Sequence, residues 1–251
     1  HFWVTEVIVV DDTSEDDTAA QAKKAGAKVI ISSARGKGIS MKEGIENTSR
    51  NLILFLDGDI DPYPEGAITK MIHPLLNDDA DFVKGAFARN AGRVTGLVAK
   101  PLLHILFPGL VHFSQPLSGM IAGKKSYFKK IKFLNDYGVD IGILIDMYLM
   151  KARVVETNIG YIENKSKPWE QLGQMSKEVS SAIISKAQGS DNGMLTEADV
   201  KSMETINREM NKVQKEKLSG YHKMAIFDMD DTILKGRFIN ECAKRFGFFP
   251  M

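Results

Sequence analysis

Short apolar runs recur through the first quarter of this chain and alternate with polar stretches. Residues 5–10, 27–32 and 52–56 are such short runs rich in apolar residues, and the third is bounded by polar residues. Runs of this length are typical of β-strands, and the third, which is wholly apolar, predicts a fully buried strand of a parallel sheet. Between the first two runs, residues 17–25 predict a helix that ends at Gly26. This order predicts a βαβ unit, and therefore an α/β fold with a mostly parallel sheet and flanking helices.

Later segments continue the pattern and divide the chain into three parts. Residues 81–85 predict a further strand, residues 141–150 a buried helix, and residues 169–186 a helix that closes the first part. Residues 188–193 are polar and turn-rich, which is typical of a linker. A charged helix then extends to about residue 218, and a new apolar run begins at Met224. We therefore expect a first domain at 1–187, a linker with a connecting helix at 188–220, and the start of a second domain at 221–251.

Composition excludes several classes of protein. The 251 residues are 43% hydrophobic, and 33 basic residues face 32 acidic ones, so overall charge gives no reason to expect a nucleic-acid partner. The longest apolar stretch, residues 102–113, is too short and too interrupted to span a membrane, and no signal peptide is visible. The single cysteine, Cys242, fits a reducing cytoplasm. Because the chain starts at His1 and stops soon after a new strand, we also expect both ends to continue in a longer polypeptide.

Two carboxylates follow the third apolar run directly. Asp57 and Asp59 flank Gly58, and ligands of open α/β sheets bind at the carboxyl ends of strands. Paired carboxylates in that place suit a hard divalent cation that carries a diphosphate, and the glycine lets a ligand approach the backbone closely. The alternative is a solvated acidic turn.

A glycine-flanked lysine and an acidic strand end provide two further candidates. Lys37 stands between Gly36 and Gly38 where a helix begins, and such a loop can wrap a phosphate with backbone amides while the lysine adds charge. Asp12 follows the first strand. It suits either a bond to a ribose hydroxyl or base edge, or the capping of the next helix.

Taken in this order and spacing, the motifs at residues 9–18, 35–38 and 56–59 resemble the nucleotide-sugar half of a GT-A glycosyltransferase. The resemblance implies that Asp57 and Asp59 hold a Mg²⁺ or Mn²⁺ ion on the donor diphosphate and that Gly58 belongs to the nucleotide-sugar site with them. It also implies that Asp12 contacts the nucleoside and that Lys37 faces the diphosphate.

Residues 81–85, 92–95, 100–103, 115–119 and 137–146 narrow the resemblance. Together they are similar to the glucosyl-3-phosphoglycerate synthases, over roughly residues 6–187. That family implies a loop of Gly92, Arg93 and Thr95 that binds the phosphate and carboxylate of the acceptor, and arginine forks do match such oxygens. It also implies an acidic residue near the reacting sugar, here Asp140, for which a helix N-terminal charge is the alternative.

Two positions depart from the family pattern. Asn164 stands where the family carries a histidine that completes the metal shell, so we expect an amide oxygen as the third ligand, with Glu163 as an alternative. Met120 stands where the family carries a glutamate, which we expect to alter the sugar or acceptor pocket.

Residues 224–234 resemble the first motif of the haloacid-dehalogenase-like phosphatases. The resemblance implies Asp228 as nucleophile and Asp230 as general acid and base, with Mg²⁺ bridging phosphate and carboxylate. The later motifs of that class are not found in these residues, so we expect no phosphatase activity from them.

These features lead to one main functional expectation and two alternatives. The chain is expected to move a sugar from a nucleotide sugar, such as UDP-glucose, to 3-phosphoglycerate or a similar phosphorylated acid, in a polypeptide that also carries a phosphatase. A lipid-phosphate acceptor of the polyprenyl or dolichyl type is the first alternative. A degenerate module that binds nucleotide sugar without catalysis is the second. A homodimer is compatible with the sequence. We further expect Asp57, Asp59, Lys37 and Arg93 to line one cleft.

Overall fold

The structure is a computed structural model that describes residues 3–88, 92–162 and 169–189, with the backbone alone for 169–171. These residues all lie in the first of two units of the chain, His1–Glu197. The strands are β1 Ile8–Asp11, β2 Lys28–Ile31, β3 Leu52–Phe55, β4 Phe82–Ala88, β5 Ile121–Lys124 and β6 Val154–Tyr161. The α-helices are α1 Thr18–Lys24, α2 Lys37–Glu46, α3 Ala67–Leu76, α4 Lys100–Leu106, α5 Lys125–Phe128, α6 Val139–Leu149 and α7 Trp169–Gln188.

The first three elements form the expected βαβ unit. β1 and β2 are parallel neighbours, with Ile8 opposite Lys28 and Asp11 opposite Ile31. α1 connects them and ends just before Gly26, whose φ of 89° is a backbone conformation that glycine adopts readily. The predicted helix end is therefore confirmed.

The larger sheet has the strand order β3-β5-β4-β6. β4 and β6 are parallel, and β3 and β4 both run antiparallel to β5, so three strands share one direction. The expected mostly parallel sheet is confirmed in this sense. The prediction that β3 is fully buried in a parallel pairing is wrong. β3 is half-buried and pairs antiparallel with β5 at one end of the sheet, so in the described structure no further strand covers its other edge.

Two hydrophobic clusters cover the two faces of this sheet. α3 packs on one face, where Met71 and Leu75 meet Val83 of β4. α4, α6 and α7 pack on the other face, where Leu103, Leu144 and other apolar residues meet Phe82. Successive residues of β4 therefore point to opposite faces. The expected buried helix after Asp140 is confirmed as α6, and the expected closing helix is confirmed as α7.

An ion network joins the start of β4 to the start of β6. The Asp81 carboxylate, which is 9% exposed, accepts hydrogen bonds from Lys124 Nζ at 2.7 Å, from Arg153 Nε at 3.0 Å and from the Arg153 backbone N–H at 3.1 Å. The hydrogen bonds from Arg153 are the main cause that holds the pKa of Asp81 well below its usual range. This network fixes the amino ends of two strands whose carboxyl ends lie at the other edge of the sheet.

Replacing Asp81 by asparagine is expected to reduce the free energy of unfolding by about 1–3 kcal/mol, because charge-assisted bonds to a largely buried carboxylate are lost. Its pKa is lowered on folding, so its contribution is complete above the ordinary value of 3.8 and is lost as the pH falls below that value. Urea denaturation of the wild type and the variant between pH 3 and pH 7 checks this. Asp79→Asn, at an exposed neighbouring position, is the control and should change stability by less than about 0.5 kcal/mol. Equal stability of Asp81→Asn and wild type at pH 7 would contradict the expectation.

Candidate functional site

The turn after β3 presents the two predicted metal carboxylates. Asp57 is partly buried, with a side chain 29% exposed, whereas Gly58 and Asp59 are exposed. The Tyr63 hydroxyl donates a hydrogen bond to the Asp57 carbonyl oxygen at 2.7 Å and so fixes the turn. Burial, followed by the negative charge of Asp57, raises the pKa of Tyr63. The tyrosine is therefore a neutral hydrogen-bond donor here.

Lys37, the first residue of α2, lies between two carboxylates. Its Nζ is 3.0 Å from Asp57 Oδ1 and 2.9 Å from Asp140 Oδ2. Burial lowers the pKa of Lys37, but the charges of Asp140 and Asp57 outweigh burial, so the net pKa is raised and the ammonium stays charged. Gly36, which precedes it, has a φ of 145° that favours glycine. The expected proximity of Lys37 to Asp57 is thus observed.

Asp140 lies in the first turn of α6, and its carboxylate is 11% exposed. One oxygen accepts the bond from Lys37, while Oδ1 is buried and has no hydrogen-bond partner in the described structure. The two roles considered for Asp140 are compatible. It carries the negative charge that a helix N-terminus favours, and it also reaches the cluster around Asp57.

Gly119 is a site residue that the sequence analysis quoted in a motif without giving it a role. A Cβ at this position would lie within 3.0 Å of Lys37 Nζ and of both carboxylate oxygens of Asp57. Any larger residue here would force the Lys37 and Asp57 side chains to shift. The Pro-Leu-Ser-Gly motif, directly before an apolar strand, was the available signal. The next residue, Met120, is fully buried in the cluster under α3, so its side chain packs in the core, and the expected effect on the sugar or acceptor pocket stays a prediction.

Asp12 connects β1 to the loop that carries Lys37. Its Oδ2 accepts a hydrogen bond from the Gly36 backbone N–H at 3.0 Å, and its Oδ1 is buried without a partner among the residues that the structure describes. α1 begins at Thr18, and Asp17 is the residue that precedes it. The alternative that Asp12 caps that helix is therefore wrong.

The residues expected to form an acceptor loop form the start of a helical segment instead. Gly92 has a φ of 131°, and its carbonyl accepts a hydrogen bond from the Gly96 N–H at 3.0 Å. A π-turn at Thr95–Ala99 continues into α4. Arg93 is exposed and Thr95 is buried. Backbone amides and a charged side chain thus occur together at a helix start, an arrangement that suits an anion.

Comparison with known proteins gives the family. The model of glycosyl transferase family 2 matches residues 4–133. The chain belongs to glycosyl transferase family 2. It is 36% identical, over 76% of its own length and 70% of the relative's, to the glucosyl-3-phosphoglycerate synthase of Mycolicibacterium smegmatis. It is 32% identical to the synthase of Mycobacterium tuberculosis, over 76% of this chain and 67% of that one.

Solved structures of a family 2 relative have the same fold. The glucosyl-3-phosphoglycerate synthase of Mycobacterium tuberculosis, solved with Mn²⁺, UDP-glucose and phosphoglyceric acid, has a TM-score of 0.68 and 32% identity, covering 73% of this chain and 69% of that chain. The same enzyme has been solved with Mg²⁺ and UDP, again with a TM-score of 0.68, at 33% identity and with 73% and 68% of the two chains covered. The expected α/β, GT-A-like architecture is confirmed for the first unit.

The donor set of this family 2 chain fits a divalent cation. No cluster of three His, Cys, Asp or Glu residues suited to a metal occurs in the ranges that the structure describes. Two carboxylates suffice, however, because Mg²⁺ is usually bound by one or two carboxylates together with substrate phosphates and water. A Cβ at Gly58 would contact nothing within 4 Å, so space for a ligand remains beside the turn. The expected third ligand, Asn164, and the phosphatase residues, Asp228 and Asp230, lie outside the described residues.

Gly119→Ala is expected to reduce the free energy of unfolding by about 1–3 kcal/mol, because its Cβ would collide with the ion pair. Gly96→Ala, in the exposed part of the π-turn with no atom within 4 Å of its Cβ, is the matched control. It should be neutral or stabilising by up to about 1 kcal/mol, because alanine loses less entropy on folding. Urea denaturation of both variants checks the contrast, and two variants of equal stability would argue against the close contact.

Proposed function

We propose that this chain is a metal-dependent glycosyltransferase that moves glucose from a nucleotide sugar such as UDP-glucose to 3-phosphoglycerate. The observation that carries the proposal is the contact of Lys37 with Asp57 and Asp140 at the carboxyl end of β3. The contact brings together Asp57, which suits a metal ion, Lys37, which suits a phosphate, and Asp140, a second carboxylate. The ligands named for the solved relatives, UDP-glucose, phosphoglyceric acid and Mn²⁺, support the choice of substrates.

The donor is expected to bind above the turn that carries Asp57, Gly58 and Asp59. Mg²⁺ or Mn²⁺, held by Asp57, Asp59 and the amide of Asn164, would supply positive charge to the diphosphate. Lys37 would add a second positive charge as the diphosphate departs, which favours the transition state over the ground state. Asp12, whose Oδ1 has no partner in the described structure, would accept a hydrogen bond from the nucleoside.

The acceptor is expected to bind at the start of the helical segment that begins with Gly92. The guanidinium of Arg93, the Thr95 hydroxyl and the backbone at Gly92 would together hold the phosphate and carboxylate of 3-phosphoglycerate. Asp140 would orient the reacting hydroxyl near the sugar, and orientation of this kind lowers the barrier by removing the entropic cost of alignment.

An acceptor panel tests the substrate directly. With UDP-glucose and Mn²⁺, we expect UDP release with 3-phosphoglycerate and no release when EDTA replaces the metal. Turnover with a polyprenyl phosphate and not with 3-phosphoglycerate would favour the lipid acceptor; no helix of the described structure has the length and hydrophobicity to cross a membrane. Binding of UDP without turnover on any acceptor would favour the non-catalytic alternative.

Arg93→Ala is expected to raise the KM for 3-phosphoglycerate by about tenfold or more, because a charge-assisted bond to the acceptor contributes about 1.5–3 kcal/mol. The KM for UDP-glucose should change little. Steady-state kinetics with each substrate varied in turn check this split. Lys70→Ala removes another exposed cation, on α3, and is the control. An unchanged acceptor KM in Arg93→Ala would remove Arg93 from the acceptor site.

The phosphatase-like motif remains a separate proposal. Asp228 would attack the phosphate of a glucosylated phosphoglycerate, and Asp230 would protonate the leaving alcohol. The order of the two chemistries supports it, since the product of the first activity carries the phosphate that the second would remove.

A further inference from the structure

Lys84 is a fully buried lysine to which the proposed function gives no role. It lies in the middle of β4 and is 0% exposed. The Val83 side chain points to the opposite face, toward α3, and a Cβ at Gly85 would lie on that face as well. A buried ammonium is costly unless it is paired, so its presence on an otherwise apolar strand face calls for a reason.

Lys84 is connected to the candidate site through Asp140. Its Nζ donates a hydrogen bond to the backbone carbonyl of Asp140 at 3.0 Å. The carboxylate of the same residue accepts the bond from Lys37 at 2.9 Å, and Lys37 contacts Asp57. Lys84 is therefore separated from the Lys37–Asp57 pair by the single residue Asp140.

A second set of hydrogen bonds lies next to Lys84, on the neighbouring strand β6. Glu156 of β6 is the cross-strand partner of Lys84. The Glu156 carboxylate accepts hydrogen bonds from the backbone N–H groups of Ser114 at 2.9 Å and Gln115 at 3.0 Å. These residues begin the segment that reaches Gly119 beside the ion pair. Lys84 therefore contacts one segment that flanks the site, at Asp140, and lies opposite the residue that anchors the other segment.

The charges around Lys84 are consistent with a protonated lysine beside Asp140. Burial lowers the pKa of Lys84 to about 8, the charge of Asp140 opposes that change, and Lys37 adds to it. At neutral pH the side chain is thus mainly protonated and acts as a counter-charge beneath the carboxylates. A methionine in the same space would satisfy the packing, since apolar replacements of buried charges are often neutral or stabilising.

We propose that Lys84 is a positioning residue for sugar transfer, which fixes the first turn of α6 from beneath so that Asp140 holds Lys37 at Asp57. The part that concerns transfer rests on the proposed function; the part that concerns Lys37 does not. A residue that acts only through packing would affect stability, whereas this role affects where the Lys37 ammonium lies when the diphosphate departs.

Lys84→Met in the full chain is the first test. Asp140 keeps Lys37 as counter-ion in this variant, so we expect the Tm to stay within about 5 °C of the wild type. We expect kcat with UDP-glucose and 3-phosphoglycerate to fall by about 10- to 100-fold, the usual cost of losing a residue that orients a site residue. KM values should change little, because Lys37 acts mainly as charge develops.

The reactivity of Lys37 provides a readout that does not depend on turnover. Brief acetylation with acetic anhydride at one fixed pH, followed by mass spectrometry, measures how firmly the Lys37 ammonium is held by its carboxylates. We expect labelling of Lys37 to rise several-fold in Lys84→Met, because displacement of Asp140 frees the Lys37 amine from its counter-ion. Loss of the Lys84 charge alone would instead lower the labelling, since it removes a repulsion between the two lysines, so reduced labelling would overturn the proposal. Phe82→Leu, on the same strand face and also fully buried, is the matched control. It should lower the Tm while leaving kcat and Lys37 labelling unchanged.

Lys84→Gln, which keeps a donor group without the charge, is the second variant and should also lower kcat and increase labelling. Wild-type kcat and wild-type Lys37 labelling in either folded variant would overturn the proposal. Failure of both variants to fold would assign Lys84 to the stability of the core and would overturn it as well. If the wild type shows no transfer, the labelling result alone still decides the positioning of Lys37, and the proposed function fails separately.

Discussion

The ion cluster of Lys37, Asp57 and Asp140 is the interaction on which the candidate site depends. It joins the start of α2, the turn after β3 and the start of α6, three segments that are far apart in the sequence. The two helices contribute unequally. The N-terminus of α6 stabilises the negative charge of Asp140, whereas the N-terminus of α2 disfavours a positive charge at Lys37. Burial and the N-terminus of α2 both disfavour the positive charge of Lys37. The carboxylates of Asp57 and Asp140 outweigh these two effects, and this attraction holds the cluster together.

The charges of the cluster suit the cation and the phosphate that the proposed function requires. Two carboxylates and one ammonium leave one negative charge; the buried ammonium of Lys84 lies beneath Asp140, and the Glu156 carboxylate lies on the strand position opposite Lys84. Asp59, exposed two residues after Asp57, adds a negative charge on the solvent side. The carboxylates of this region outnumber its lysines, and a net negative charge at the surface favours a divalent cation there.

Local patterns in the sequence predicted most helices and strands. They did not predict how the strands pair, because pairing depends on residues far apart in the chain. The βαβ unit, α6 and the closing α7 follow from periodicity and from end signals such as Gly26. The antiparallel insertion of β5 between β3 and β4 could not be predicted, because the sequence of β5, Ile-Ala-Gly-Lys, is short and gives no register. The segment at Arg93 was expected to be a loop because the family resemblance implied one, whereas the structure begins a helical segment there after Gly92, whose φ is positive. Of the site, Lys37, Asp57 and Asp140 were found by motif, whereas Gly119 and Lys84 depend on contacts across the fold.

Alternation along extended chain explains why neighbouring residues in this region differ so much in role. At residues 119 and 120, the glycine faces the ion pair and the methionine enters the core under α3. At residues 83 and 84, the valine enters that same core and the lysine faces α6. Side chains of successive extended residues point to opposite sides, so a shift of one residue would exchange the two sets. The pairing register of β4 with β5 and β6 therefore fixes which residues can reach the candidate site, and the geometry of that site depends on the sheet remaining in that register.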